Sequence, residues 1–286
     1  MIDESCGAWL RRFLPRPDAG LRLICVPHGG GGAGAFLGWA ELLPPGVELL
    51  AVQYPGRGDR LADPVPRAMA ELVTELTDAI AAVADRPYAL FGHSMGATVA
   101  YEVAQEARRR GLPGPVHLVA SAREAPHDEK GGDVHRGDDD DLYAELLRLG
   151  GTAPDVLADP GLRAMIFACA RGDYRLIETY RPLPLPPLDC PVTVFLGDRD
   201  PDLTPDEAGR WRHATRARTR LEVFPGDHFY LVPRRHAVLA SLRRLLAPYG
   251  RWAADITGAR RAGSRARPGR ATARRRTAPR PAARRR

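Results

Sequence analysis

The chain has 286 residues, 44% hydrophobic and 27% charged, which excludes a fibrous or wholly disordered protein and fits one large α/β domain or two small ones. No apolar run approaches the roughly 18–20 residues of a membrane span, and the acidic N-terminus lacks the apolar core of a secretory signal. Cys6, Cys25, Cys169 and Cys190 are scattered without a C-x-x-C pair, so a cytoplasmic protein with neither a disulfide scaffold nor a zinc-knuckle metal site is expected.

The net charge of +7 belongs to one end of the chain. Twelve arginines and no acid lie between Thr257 and Arg286, which leaves 30 basic against 35 acidic residues before them, a net of −5. The sequence therefore reads as a folded unit over 1–250 and an Arg-rich, disordered tail over 251–286. The tail lacks interleaved aromatics, and no nucleic-acid partner is expected. Lys130 is the only lysine, which excludes a G-x-x-x-x-G-K-[ST] phosphate loop.

In chain order, short apolar runs predict strands at Leu21–Val26, Glu48–Gln53, Tyr88–Phe91, Val116–Ser121, Val192–Leu196 and Leu221–Phe224. They are continuous rather than alternating, as parallel strands buried on both faces are. Helical patterns fall between them. Met69–Ala84 places Leu72, Leu76, Ile80 and Val83 on one stripe, Met95–Arg110 ends in cations and Gly111, and Val238–Leu246 closes the body. Strand alternating with helix predicts an α/β fold with a mostly parallel, doubly wound sheet. About 70 residues between Ser121 and Val192 carry no strand, too many for a plain loop. They turn amphipathic at Leu142 and again over Leu162–Tyr180, and they predict a helical lid inserted at about 127–187. The acidic run Asp138–Asp141 reads as a solvated loop rather than a metal site.

Gly92-His93-Ser94-Met95-Gly96 follows one predicted strand and opens a helix, the setting in which G-x-S-x-G marks a nucleophile elbow. Glycines two residues before and after the serine remove side chains that a sharp strand-to-helix turn would crowd. A serine hydroxyl needs a base, and in this setting the acid and the histidine follow it in that order at the ends of later strands. Gly197-Asp198-Arg199-Asp200 and Pro225-Gly226-Asp227-His228 stand at those ends. His228 is the candidate base. Asp200 is preferred to Asp198 as its partner, because the first aspartate suits the turn itself; Asp227 suits its own loop. The run Pro27-His28-Gly29-Gly30-Gly31-Gly32 after the first predicted strand offers a backbone amide for an oxyanion, with Met95 as the second donor. Gly29, Gly31 and Gly34 match the bare spacing G-x-G-x-x-G, but no suitable acid ends the next predicted strand, so a dinucleotide loop is the poorer reading. Trp39, Met95 and Phe229 suit either an acyl pocket or core packing.

With those residues in hand, the chain resembles the type II thioesterases of polyketide and nonribosomal peptide assembly lines, members of the α/β-hydrolases. The resemblance spans roughly residues 20 to 248. It is carried by Pro27–Gly30, by Gln53-Tyr54-Pro55-Gly56-Arg57-Gly58-Asp59-Arg60, by Gly92–Gly96, by Glu178-Thr179-Tyr180, and by Gly197–Asp200 and Gly226–His228. Arg171-Gly172-Asp173 looks like the family's Arg-Ala-Asp, and Gly29 stands where the family often has Ala.

The resemblance implies Ser94 as nucleophile, His228 as base, Asp200 as its partner, and Gly29 and Met95 as oxyanion donors. It implies hydrolysis of acyl thioesters from the phosphopantetheine arm of carrier proteins, without metal or cofactor, to clear misloaded or stalled acyl groups. A medium-chain fatty acyl thioesterase and a small-molecule carboxylesterase are the neighbouring alternatives; an inactive partner, or a nucleic-acid binder acting through the tail, is the more distant one. A terminal cyclising thioesterase is disfavoured, since the predicted strands begin soon after the N-terminus.

Overall fold

The computed structural model describes residues 7–128 and 130–263. Seven strands form one sheet in the order β1-β3-β2-β4-β5-β6-β7. They are β1 (Leu10–Arg11), β2 (Leu21–Val26), β3 (Val47–Val52), β4 (Tyr88–His93), β5 (His117–Ser121), β6 (Val192–Gly197) and β7 (Thr219–Phe224). Every neighbouring pair is parallel except β1 with β3, where Leu10 faces Val52 in antiparallel register. The two-residue β1 is an element that the sequence pattern did not predict.

Alternate residues of each central strand feed two core layers. Ile24, Val26, Leu90 and Leu118 pack on one face with helices α1 (Met69–Ala81) and α2 (Met95–Arg109). Leu23, Cys25, Phe91 and Val119 pack on the other, with Trp39 and with Val238, Leu239 and Leu242 of the last helix. This two-sided burial is why these strands read as unbroken apolar runs. The predicted stripe of α1 is buried at Leu72, Leu76 and Ile80, each worth about 1.5–3 kcal/mol out of water. At the edge, β7 departs from expectation: Leu221 and Val223 are exposed, because no strand covers its far side.

The region expected as a lid is helical: α3 (Asp139–Leu149), α4 (Pro154–Ala158) and α5 (Pro160–Glu178), packed around Leu142, Leu146, Leu157, Phe167 and Ala170. The acidic run is not a loop. Asp138 caps α3, accepting from the Asp140 and Asp141 amides, while Asp141 accepts in return from the Asp138 amide. Asp139, Asp140 and Asp141 fill the first turn, where carboxylates offset the positive end of the helix dipole. Among the described residues no cluster of three potential metal ligands occurs, and no helix is long and apolar enough to cross a membrane.

After α6 (Pro205–Gly209), the last helix, α7, runs Arg235–Gly263, past the boundary expected at 250. The expected tail from 264 onward lies outside the described residues.

Candidate active site

The loops that follow β2, β4, β5, β6 and β7 meet beyond the C-terminal ends of these parallel strands and bound a cavity of about 610 Å³ under α3 and α5. Gly29, Ser94, Met95 and His228 all line it.

Ser94 joins β4 to α2 with φ 54 and ψ −124, a conformation rare outside glycine. The packing around the turn explains its glycines. A Cβ on Gly92 would overlap the Gly96 carbonyl, and one on Gly96 would overlap the Val26 carbonyl and lie 2.6 Å from that of Pro27. The Ser94 amide is held by the Ser121 carbonyl at 2.8 Å, which fixes the turn to β5. Ala122, with φ 53, follows β5 and also lines the cavity.

His228 Nδ1 lies 3.0 and 3.1 Å from the two carboxylate oxygens of Asp200. Both side chains are almost wholly out of water. With Nδ1–H donating to a carboxylate, the neutral ring carries its lone pair on Nε2. That nitrogen is buried and has no hydrogen-bond partner among the described residues. The other two aspartates hold loops. Asp198 accepts from the Gly226 amide at 2.8 Å and Asp227 from the Phe229 amide at 2.9 Å. A Cβ on Gly197 would overlap the Asp227 carbonyl, so this glycine lets the acid loop and the histidine loop touch. Asp200 is in turn fixed by the Asp202 amide at 3.0 Å.

Gly29 and Met95 are neighbours across the cavity floor: a Cβ built on Gly29 would lie 4.0 Å from Met95 Sδ and 3.5 Å from Asp173 Cβ, ordinary contacts that an alanine would tolerate. Of the three side chains weighed for an acyl pocket, Met95 and Phe229 line the cavity. Trp39 packs instead in the core against Phe36 and Phe91.

Several site residues carried no role at the level of sequence. His28 and His93 sit beside His228 and Phe229. Burial lowers the pKa of His28 to about 4, helped by the charges of His228 and Arg57, and it holds His93 well below the ordinary histidine value. His93 Nδ1 meets Ser121 Oγ at 2.9 Å, and that hydroxyl meets Tyr230 OH at 2.6 Å. Arg57, from the Pro-Gly-Arg segment, forms a buried, two-pronged ion pair with Asp173 of α5 at 2.5 and 2.9 Å. The distinctive Pro-Gly-Arg and Arg-Gly-Asp segments were the available signal; their spacing of more than a hundred residues hid the pairing.

A sheet of this order, carrying such a turn at the end of its central strand, is that of an α/β-hydrolase. A family model for the thioesterase domain matches residues 21–246. Thioesterase PikA5 of Streptomyces venezuelae is 41% identical over 243 residues, 83% of this chain and 85% of that protein. Gramicidin S biosynthesis protein GrsT of Aneurinibacillus migulanus is 33% identical over 250 residues, 86% of this chain and 98% of its own. Among solved structures, the type II thioesterase BorB from the borrelidin biosynthetic cluster superimposes with a TM-score of 0.77 at 42% identity, covering 85% of this chain and 97% of that one. The chain belongs to the thioesterase family, and within it to the type II thioesterases of polyketide and nonribosomal peptide clusters.

Proposed function

We propose that this enzyme hydrolyses acyl thioesters carried on the phosphopantetheine arm of carrier proteins, clearing misloaded or stalled acyl groups from a polyketide or nonribosomal peptide synthase. The observation that carries the reading is the buried Asp200–His228 pair, whose unpartnered Nε2 borders the same cavity as Ser94.

In the first half-reaction, Ser94 Oγ attacks the thioester carbonyl and His228 Nε2 takes its proton. The Gly29 and Met95 amides hold the tetrahedral oxyanion, and the Asp200 carboxylate orients the imidazolium. The proton passes to the departing thiolate, leaving an acyl ester on Ser94. Water, deprotonated by the same nitrogen, then attacks that ester; the acid leaves and Ser94 recovers its proton. A thiolate is a better leaving group than an amine, so acid assistance matters less here than in peptide cleavage. The roof of α3 and α5 limits bulk water at the acyl ester.

The test compares acyl carrier proteins, acyl-CoA and p-nitrophenyl esters as substrates of wild type and Ser94→Ala. Carrier thioesters should show the highest kcat/KM, and Ser94→Ala should abolish turnover while leaving the fold intact by circular dichroism. Faster turnover of simple oxyesters, or activity retained without the Ser94 hydroxyl, would refute the reading.

A further inference from the structure

We propose that Arg57 and Asp173 are positioning residues for the oxyanion loop, so that α5 belongs to the catalytic frame. The inference rests on the reading of Gly29 as an oxyanion donor.

Hydrogen bonds link the ion pair to the peptides on both sides of Gly29. Asp173 Oδ2 accepts the Gly30 N–H at 2.7 Å, which fixes the peptide that follows Gly29. Arg57 Nη1 donates to the Gly31 carbonyl at 3.0 Å, and the Gly31 N–H donates to the His28 carbonyl at 3.0 Å. That last carbonyl shares one rigid peptide plane with the Gly29 N–H, so its direction sets where the amide points. The loop needs such a clamp. Gly30 lies at φ +76, and the two residues beyond it are also glycines, the residue type with the least backbone preference of its own.

The clamp is itself braced. Gln53 donates to the Arg57 carbonyl and accepts from the Ala33 amide, both at 2.9 Å, tying the far end of the oxyanion loop to the Arg57 segment. From α5, the Cys169 thiol donates to the Gly56 carbonyl at 2.9 Å. Burial opposes the charge on Arg57, yet the charge and hydrogen bonds of Asp173 outweigh it and hold the guanidinium protonated.

An ion pair this deep brings little net stability, since desolvation offsets its attraction. What it supplies here is direction: one partner holds an N–H of the loop and the other a C=O. The rest of the lid is fastened differently. Helix α3 reaches the acid loop through Arg148 and Asp202, a pair open to solvent. Helix α5 is thus tied to the oxyanion loop by a buried ion pair and α3 to the acid loop by an exposed one, while the two helices share the apolar cluster of Leu142, Leu146 and Phe167.

The test uses the full-length enzyme with Asp173→Asn, Arg57→Lys and Asp173→Glu. Three readings are taken: kcat and KM on an acyl thioester, affinity for an arylboronic acid, which forms a tetrahedral adduct on the serine, and affinity for an unreactive thioether analogue of the substrate. Removing one oxyanion donor outright costs roughly 10²- to 10³-fold, so misaiming one should lower kcat about 10- to 100-fold. KM and thioether affinity should stay within about twofold, boronate affinity should fall in step with kcat, and Arg57→Lys should retain more activity than Asp173→Asn. If Asp173→Asn fails to fold, the two charge-retaining variants carry the same comparison. Unchanged kcat and boronate affinity, or equal losses of boronate and thioether binding, would overturn the inference. Activity surviving in Ser94→Ala would overturn the underlying reading instead, and the two failures are separable.

Discussion

Ser121→Ala removes a single oxygen that serves two buried partners. Ser121 Oγ lies 2.9 Å from His93 Nδ1 and 2.6 Å from Tyr230 OH, and all three residues are buried. A buried polar group left without a partner costs about 1–3 kcal/mol. Two such groups therefore give roughly 2–6 kcal/mol, on the order of 4–12 °C in melting temperature for a chain of this size. Tyr230→Phe removes a hydroxyl but leaves Ser121 paired with His93, and should cost only about 1 kcal/mol.

The decisive protein is the double variant. It no longer contains the stranded tyrosine hydroxyl, so it should be no less stable than Ser121→Ala alone, although simple addition would make it worse. Urea and thermal melts of the four proteins complete the cycle. Additivity within about 0.5 kcal/mol, or a Ser121→Ala protein that melts like wild type, would refute the claim that this hydroxyl bridges both groups.

Two further outcomes follow from charge. Burial, together with Arg218 and Arg220, lowers the pKa of His117 to about 4; between that value and about 6.5 the unfolded chain takes up a proton that the folded one refuses, so stability should fall as pH falls through this window. His117→Asn should remove at most about 3 kcal/mol of the stability lost across this window, seen as a flatter dependence of melting temperature on pH, and an unchanged slope would contradict this. Arg148 and Asp202 are both about two-fifths exposed, which limits their pairing to about 0–1 kcal/mol. Arg148→Ala should therefore leave the melting temperature within about 3 °C, and a larger drop in thermal melts would contradict this.

The legible parts of the sequence were those governed by local pattern. Two-sided burial made β2, β4 and β5 continuous apolar runs, and the backbone crowding at Gly92 and Gly96 imposed its own motif. Chain order pointed to the loops of Asp200 and His228, turn chemistry favoured Asp200 over Asp198, and His228 Nδ1 lies 3.0 Å from the Asp200 carboxylate. The edges were less legible. Strand β1 is two residues long, below any period, and β7 exposes Leu221 and Val223 because it has a neighbour on one side only. Asp138–Asp141 reads as a polar loop by composition, whereas its capping box makes it a helix start. Arg57 and Asp173 are 116 positions apart, and only the folded chain brings them together.

The single lysine, first noted because it rules out a phosphate loop, has a consequence for chemistry in the laboratory. Lys130 borders the cavity, with its ammonium group on the Asp202 carbonyl at 2.7 Å and paired with Glu207 at 2.8 Å, while about half of the side chain stays open to solvent. Apart from the α-amino group, amine-directed reagents have one address in the whole chain. An environment-sensitive dye coupled there reports from the rim of the site, two residues beyond Asp200 in the loop it touches. Occupation of the site thereby becomes an optical signal, obtained without introducing a cysteine.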